Sequence, residues 1–310
     1  MKSLVLAVMG LLCSMSVSAH DFYVNGIFYN ITSQADKTVA VTYRGPYVDS
    51  YDEYSGAVNI PESVTYNGNT YSVTSIGNKA FYYCLSLTSV VIPNSVTSIG
   101  DVAFYCCDGL SSVVIGNSVT SIGYSAFYGC SGLSSVVIGN SVTNIGDNAF
   151  NYCTRLTSVV IPNSVTSIGD GAFYGCSGLT SVEIGNSVTN IGVYAFANCD
   201  KMTRLSCCAE VPPTCGSGVF NGINKEDCVL QVPQSCLAAY QQADQWKDFL
   251  YIEDVLTSIG GVTVDGAVPA TADVYSTNGM LIKRNAELKN LHNELPAGIY
   301  IVGGKKVWVK

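Results

Sequence analysis

The chain has 310 residues, of which 48% are hydrophobic and only 12% charged, with 15 basic against 23 acidic side chains and a formal net charge of −8. Such a sparse, acidic set argues against a nucleic-acid backbone as partner, because phosphate binding needs clustered Lys and Arg. Two histidines offer little to acid–base or triad chemistry, while thirteen cysteines raise the question of a disulfide framework.

The first element is an export signal. Lys2, the apolar stretch Leu4 to Leu12 and then Val17-Ser18-Ala19 read as a secretory signal peptide over residues 1–19, cleaved after Ala19. Its core is too short to stay as a membrane helix, and no second apolar run of membrane length follows, so the mature chain is expected to have no membrane-spanning segment. Cys13 would suit a lipoprotein, but Leu11-Leu12 lack the small residues that lipoprotein processing prefers. Loss of Lys2 with the leader leaves 14 basic against 23 acidic residues. His20 would then be the mature N-terminus; a copper site there needs further side-chain ligands, and the other histidine is distant His292.

Residues 20–70 are expected to form an N-terminal β cap. Phe22 to Ile31 reads as a hairpin turning at Asn25-Gly26, and a strand containing Val39 to Tyr43 follows. Beyond the cap a 23-residue cassette recurs without insertion, the isoleucine of Ile-Gly-x-x-Ala-Phe falling at Ile76, Ile99, Ile122, Ile145, Ile168 and Ile191. A fixed short period is the signature of a solenoid in which each unit is one coil. In the coil starting at Ile122, Leu133, Val136 and Ile138 have extended spacing, with Ser135 and Val137 between them facing the other way. A Gly139-Asn140-Ser141 turn leads to a second short strand anchored by Val142 and Ile145. The chain bends at Gly146, and Ala149-Phe150 suggests a tight helical turn whose ring plugs the end of the coil. Eight inward positions per coil (Leu, Val, Ile, Val, Ile, Ala, Phe, Cys) would stack as ladders that no coil could bury alone.

Six cysteines, Cys84, Cys107, Cys130, Cys153, Cys176 and Cys199, share one rung of this repeat. Stacked strands lie about 4.8 Å apart whereas disulfide-linked Cβ atoms lie about 3.8 Å apart, so these read as buried thiols acting as small hydrophobes. Cys207, Cys208, Cys215, Cys228 and Cys236 are irregularly spaced, and among them one or two bridges remain open.

Two outward rows are candidate binding surfaces. Val91, Val114, Val137, Val160 and Glu183 form a line on the strand face, flanked by Ser89, Ser112, Ser135, Ser158 and Ser181. Valines in line, rimmed by hydroxyls, make a flat apolar stripe suited to a protein or an extended chain; equally, Val and Ser favour strands and repeat by duplication. Tyr82, Tyr105, Tyr128 and Tyr174 follow the inward Phe of their coils, the row being broken at Asn151 and Ala197. They could stack on sugars or anchor a partner, or they could shield the coil edge and one another.

The cassette Ile-Gly-x-x-Ala-Phe-x-x-Cys-x-x-Leu-x-Ser-Val-x-Ile resembles the BspA-like, or type 5, leucine-rich repeat of bacterial surface proteins, over roughly Tyr71 to Asp254. The resemblance implies a mainly β solenoid over residues 71–206, with short strands and tight helical turns, closed by irregular repeats and a cap over residues 207–256. Ala209-Glu210-Val211-Pro212-Pro213, Leu230-Gln231-Val232-Pro233, Tyr240 and Trp246-Lys247-Asp248-Phe249 are similar to such closing coils. A last element follows over residues 257–310. Asp273 to Leu281, Leu295-Pro296-Ala297-Gly298-Ile299-Tyr300-Ile301-Val302 and the strand Lys305 to Lys310 resemble the type A C-terminal sorting domain of the Bacteroidota type IX secretion system. That resemblance implies a small all-β sandwich-like module, with turns at Thr277-Asn278-Gly279 and Pro296-Ala297-Gly298, recognised by the outer-membrane translocon and removed as the protein is anchored or released; the sequence does not fix the cut, for which the region Thr257 to Gly266 is a candidate.

Catalysis finds no constellation. Gly-x-Ser-x-Gly is absent and the repeat serines belong to strands and turns. Asp147 and Asp170 occupy equivalent places on adjacent coils and could pair for calcium or acid–base work, but Tyr124 interrupts the register with Asp101, which favours solvated turn residues. The expectation is an exported, non-enzymatic protein without cofactor or metal, acting outside a Gram-negative cell. Its role is open between an adhesin for host or bacterial surface proteins, an architectural spacer without a ligand, and a carbohydrate-binding accessory resting on the tyrosine row. The type IX machinery would be a further partner through the C-terminal module.

Overall fold

The computed structural model describes residues 20–45, 52–255, 271–276, 281–287, 298–302 and 305–309. The expected leader, the region Thr257 to Gly266, His292, the Thr277-Asn278-Gly279 turn and most of Pro296-Ala297-Gly298 lie outside these residues.

Each 23-residue coil has three sides, and the sequence dictates each. Alternation of apolar and polar residues over Leu-x-Ser-Val-Val-Ile gives a strand with one buried face: Leu87–Val91, Ser112–Val114, Ser135–Val137, Ser158–Ile161, Ser181–Ile184 and Arg204–Cys207 occupy this side. The Asn-Ser turn then leads to two-residue strands, among them Ser98–Ile99, Ser121–Ile122, Asn144–Ile145, Ser167–Ile168 and Asn190–Ile191. These pair parallel and in register, isoleucine on isoleucine, in one eleven-stranded sheet that runs back into the cap. The third side is a tight turn. In the coil from Ile122, the N–H groups of Ala126, Tyr128 and Cys130 bond within the turn, to Gly123, Ser125 and Phe127. Those of Ser125, Phe127 and Gly129 donate instead to the next coil, at 2.8, 2.7 and 2.7 Å. Left-handed backbone at Ser125 and Gly129 produces this alternation.

All eight expected inward positions of every regular coil are buried. Phenylalanine rings from Phe81 to Phe196 stack with centroids 4.6 to 5.2 Å apart and planes within 7° of parallel. The ladder cysteines are free buried thiols. Each beyond the first also donates its S–H to the phenylalanine carbonyl of the preceding coil, as Cys107 does to Phe81 at 2.9 Å and Cys176 to Phe150 at 3.1 Å. A small donor at this rung therefore ties coils together as well as filling space. Burial pushes the thiols of Cys84 and Cys199 up to about 12 and raises those of Cys107, Cys153 and Cys176.

Both open ends of the stack are covered by aromatic residues. The hairpin Phe22–Val24/Ile27–Ser33 turns at Asn25-Gly26, both in left-handed backbone. A second hairpin, Ser63–Tyr66/Asn69–Ile76, turns in the same way at Asn67-Gly68. Tyr54 lies 4.5 Å from Phe81 and donates its hydroxyl to the Thr42 carbonyl. At the far end Trp246 packs edge-on to Phe220 at 4.9 Å and donates its indole N–H to Pro213 O at 2.9 Å. Cys207, Cys208, Cys215, Cys228 and Cys236 are all free thiols in this closing region, and Cys207 accepts a hydrogen bond from buried Tyr240. The C-terminal residues form a four-stranded antiparallel sheet in the order Leu281–Glu287, Thr271–Ser276, Gly298–Val302, Lys305–Val309.

Candidate functional site

The strand face carries the valine row as two register-exact segments. Val91, Val114 and Val137 are Cα partners in one parallel sheet, and Val160, Glu183 and Ser206 in another. The four valines are 43 to 54% exposed, high values for apolar side chains that strand geometry turns away from the core. Ser89, Ser112, Ser135, Ser158 and Ser181 run alongside two residues earlier, in the same registers, and Arg204 follows Ser181 in that line. The extension through Arg204 and Ser206 was not foreseen, because these residues depart from the cassette.

The line is interrupted by a seam. Ser135–Val137 ends one sheet and Ser158–Ile161 begins the next, with no ladder between them. Elsewhere on this face the residue before each strand is held by the coil beneath: Ser111 N–H to Thr88 O at 2.9 Å, Ser134 to Ser111 at 3.0 Å, Thr180 to Thr157 at 2.9 Å, Thr203 to Thr180 at 3.0 Å. At the strand's other end Ile92 and Ile115 donate upward to Val114 O and Val137 O at 3.0 and 2.9 Å. Thr157 and Ile138 make neither bond. A side-chain ladder breaks at the same place: Asn94, Asn117 and Asn163 each cap the backbone N–H one coil on, at 2.8, 3.2 and 3.0 Å, but Asn140 does not cap Asn163. The inward Val136 and Ile138 are correspondingly 9 and 6% exposed, against 3% or less at Val113, Val159, Ile115 and Ile161. The other two sides stay closed there, with Thr166 bonded to Thr143 and Phe127 to Ala149. The result is a wedge-shaped groove of about 500 Å³ that runs from the seam across the valines to Glu183, Arg204 and Ser206.

The tyrosine row is a self-packed edge. Tyr82, Tyr105 and Tyr128 stack at 5.3 and 4.9 Å with planes 20° and 4° apart. Where Asn151 breaks the row, Tyr152 turns its ring in edge-on, 6.0 Å from Tyr128 and 5.6 Å from Tyr174. Asn151 is itself buried, donating to Asn148 Oδ1 at 2.7 Å. Desolvation raises the phenols of Tyr105 and Tyr128, as expected for rings that cover one another.

Asp147 and Asp170 have a defined structural partner, more than the solvated-turn reading of the sequence supplied. Asp147 accepts the Asp170 N–H at 2.9 Å and Asp170 accepts the Val193 N–H at 2.6 Å; Asn78 and Asp101 do the same for Asp101 and Tyr124. The carboxylates are rungs of an inter-coil capping ladder that Asn serves equally well. His20 has its Nδ1 2.8 Å from the Arg44 carbonyl and its ring 4.7 Å from Phe28. Among the described residues no cluster of three or more His, Cys, Asp or Glu side chains converges, and no helix is long and apolar enough to cross a membrane.

Residues 74–206 match the family model described as the BspA type leucine rich repeat region, in six copies. A leucine-rich repeat protein of T. pallidum is 31% identical over 65% of this chain and 88% of its own, with a TM-score of 0.55. A leucine-rich repeat protein from Bacteroides ovatus ATCC 8483 is 27% identical over 76% of this chain and 68% of its own, again with a TM-score of 0.55. No curated protein matches the chain.

Proposed function

Because the chain belongs to the BspA-type leucine-rich repeat proteins, we propose that it is an exported, non-enzymatic interaction module that binds protein through the strand face of its solenoid. The observation that carries this reading is the line of exposed Val91, Val114, Val137 and Val160 on one face, with a groove that begins at Val137 and Val160 and runs on to Glu183, Arg204 and Ser206. A monomer gains nothing from apolar side chains held in water, whereas a partner that desolvates them does. The leader-like residues 1–19 support export, and the residues from Asp273 support handling by type IX secretion machinery, which would deliver the solenoid to the cell surface as an adhesin for host or bacterial surface proteins. The tyrosine row supports a glycan-binding role less well, since its rings already cover one another.

One observation favours an architectural role: four valines and five serines repeat unchanged on the outward face, where a binding site evolved for one ligand would have diversified. Binding of the mature chain to matrix proteins, mucins, polysaccharides and bacterial cells separates the two. Saturable binding that is lost when the row valines become lysines, with melting unchanged, supports the adhesin; absence of binding across the panel favours the spacer.

A further inference from the structure

The outward residues that vary most from coil to coil lie on the turn side. The second residue after Ile-Gly changes from Lys79 through Val102, Ser125, Asn148 and Gly171 to Tyr194, and the tyrosine after Ala-Phe is replaced by Asn151 and Ala197. Duplication alone would have kept these positions alike, as it kept the valines and serines of the strand face. Three of the departures, Asn151, Gly171 and Ala197, fall on successive coils. Where they meet, the turn edge holds a pit of about 300 Å³, lined by Asp170, Tyr174, Val193 and Tyr194 above a floor of Asn148 and Asn151.

Gly171, in left-handed backbone, leaves that floor uncovered: a Cβ there would come within 2.6 Å of Asn148 Oδ1 and 3.4 Å of Asn151 Nδ2. Asn151 is only 6% exposed and donates its amide to Asn148 Oδ1 at 2.7 Å, while its own Oδ1 receives no hydrogen bond. A buried carbonyl left in this state is costly, and its partial negative charge stays uncompensated at the floor of the pit. Asp170 spends Oδ1 on the Val193 N–H, yet its side chain is exposed and forms no ion pair among the described residues. Tyr174 meets Tyr152 edge-on below, and Ala197 on the next coil stands where a tyrosine would otherwise stack on it. Tyr194 is 45% exposed. No Lys, Arg or His lines the pit. One carboxylate, two aromatic rings and an unmet amide oxygen together favour a cation, through a charge-assisted hydrogen bond and the ring quadrupoles.

Going beyond the strand-face reading, we infer that this pit is a second docking site, which takes the basic side chain, Lys or Arg, of a partner protein. The cationic head sits between the Asp170 carboxylate and the rings of Tyr174 and Tyr194, over the Asn151 carbonyl, and its aliphatic stem runs across Val193. A cavity of about 300 Å³ is at the small end for a ligand site and suits one side chain. The net charge of −8 draws basic surfaces toward the chain as a whole, and the pit gives one such residue a fixed seat.

Titration of residues 20–310 with acetyl-Gly-Lys-Gly-amide and its arginine counterpart, followed by NMR of the tyrosine rings, tests this. At least one of the two should bind saturably and shift the ring signals of Tyr174 and Tyr194, and the norleucine counterpart should not. Asp170→Asn, which keeps a cap on the Val193 N–H, should weaken binding at least about tenfold. Asn151→Tyr should abolish it by filling the pit, a change the turn accepts because Tyr82 and Tyr83 already sit side by side. Raising salt from about 0.05 to about 0.5 M should weaken binding several-fold. Absence of binding by both peptides, or binding indifferent to Asp170→Asn, overturns the inference. Tighter binding of free cadaverine than of either peptide, or preference for a neutral monosaccharide such as galactose, overturns it as well. Val137→Lys and Val160→Lys should leave peptide binding unchanged; if they abolish it, the peptides sit on the strand face and the pit is rejected. Peptide binding at the pit with undiminished adhesion in the valine variants upholds the pit and rejects the strand face alone.

Discussion

The rings of Phe127 and Phe150 lie 5.1 Å apart with planes 2° from parallel, one rung in a ladder that runs from Tyr54 to Trp246. Neither ring contacts solvent, and each is held by a turn whose backbone bonds alternate between its own coil and the next. Phe127→Ala removes a ring from the middle of the stack and cannot be repaired by collapse of a rigidly spaced backbone. It should cost about 3–5 kcal/mol. Tyr128→Ala, at the half-covered edge, should cost far less, and denaturant melts of the two variants check the inside and outside assignment.

The capping ladder makes a prediction about carboxylates without catalysis. Asp170→Ala strips the partner of the Val193 N–H and should destabilise by about 0.5–2 kcal/mol, in the range of a lost helix cap. Asp170→Asn should be close to neutral, since Asn78 already performs this task for the Asp101 N–H. Calcium should leave the melting temperature of the wild-type protein unchanged; a rise of several degrees would restore the metal-site reading of Asp147 and Asp170.

The buried thiols set a pH limit. Their folded-state values lie above the ordinary thiol value, at about 12 for Cys84 and Cys199, with desolvation as the main cause. The unfolded chain therefore gives up these protons first. Stability is fully present below about pH 8.5 and is lost as pH rises toward 12, each such thiol withdrawing about 1.4 kcal/mol per pH unit once the unfolded thiols have ionised. The melting temperature should fall steeply above pH 9, and replacing Cys153 and Cys176 by Ala should flatten that slope while lowering stability at neutral pH. Below pH 9 a thiol reagent should label the six ladder cysteines only after denaturation.

The solenoid was legible because its strongest signals are local and repeated six times. The isoleucine period predicts the in-register pairing of Ile122 with Ile145 and Ile168, and alternation within Ser135–Val137 separates buried Val136 from exposed Val137. The hairpin at Asn67-Gly68 carried the same turn signal as Asn25-Gly26, yet it lies beside the first repeat and was absorbed into an undivided cap. What the cassette hid was the variable position after the strand-end isoleucine. Reading it as any residue conceals that the glycines there sit where a Cβ would meet the coil beneath, which becomes visible only when one coil is laid on another. The thiol-to-carbonyl bonds were likewise out of reach, because they join residues 26 apart across coils.

The measurement that bears most directly on the central claim is the affinity of residues 20–310 for whichever protein of the panel binds most tightly, beside Val114→Lys, Val137→Lys and Val160→Lys. All four valines of the row are exposed and none belongs to the core, so these variants should melt with the wild-type protein. A loss of binding of about tenfold or more at unchanged melting temperature is the predicted result. Undiminished affinity in all three variants would contradict it and move the interaction off the strand face.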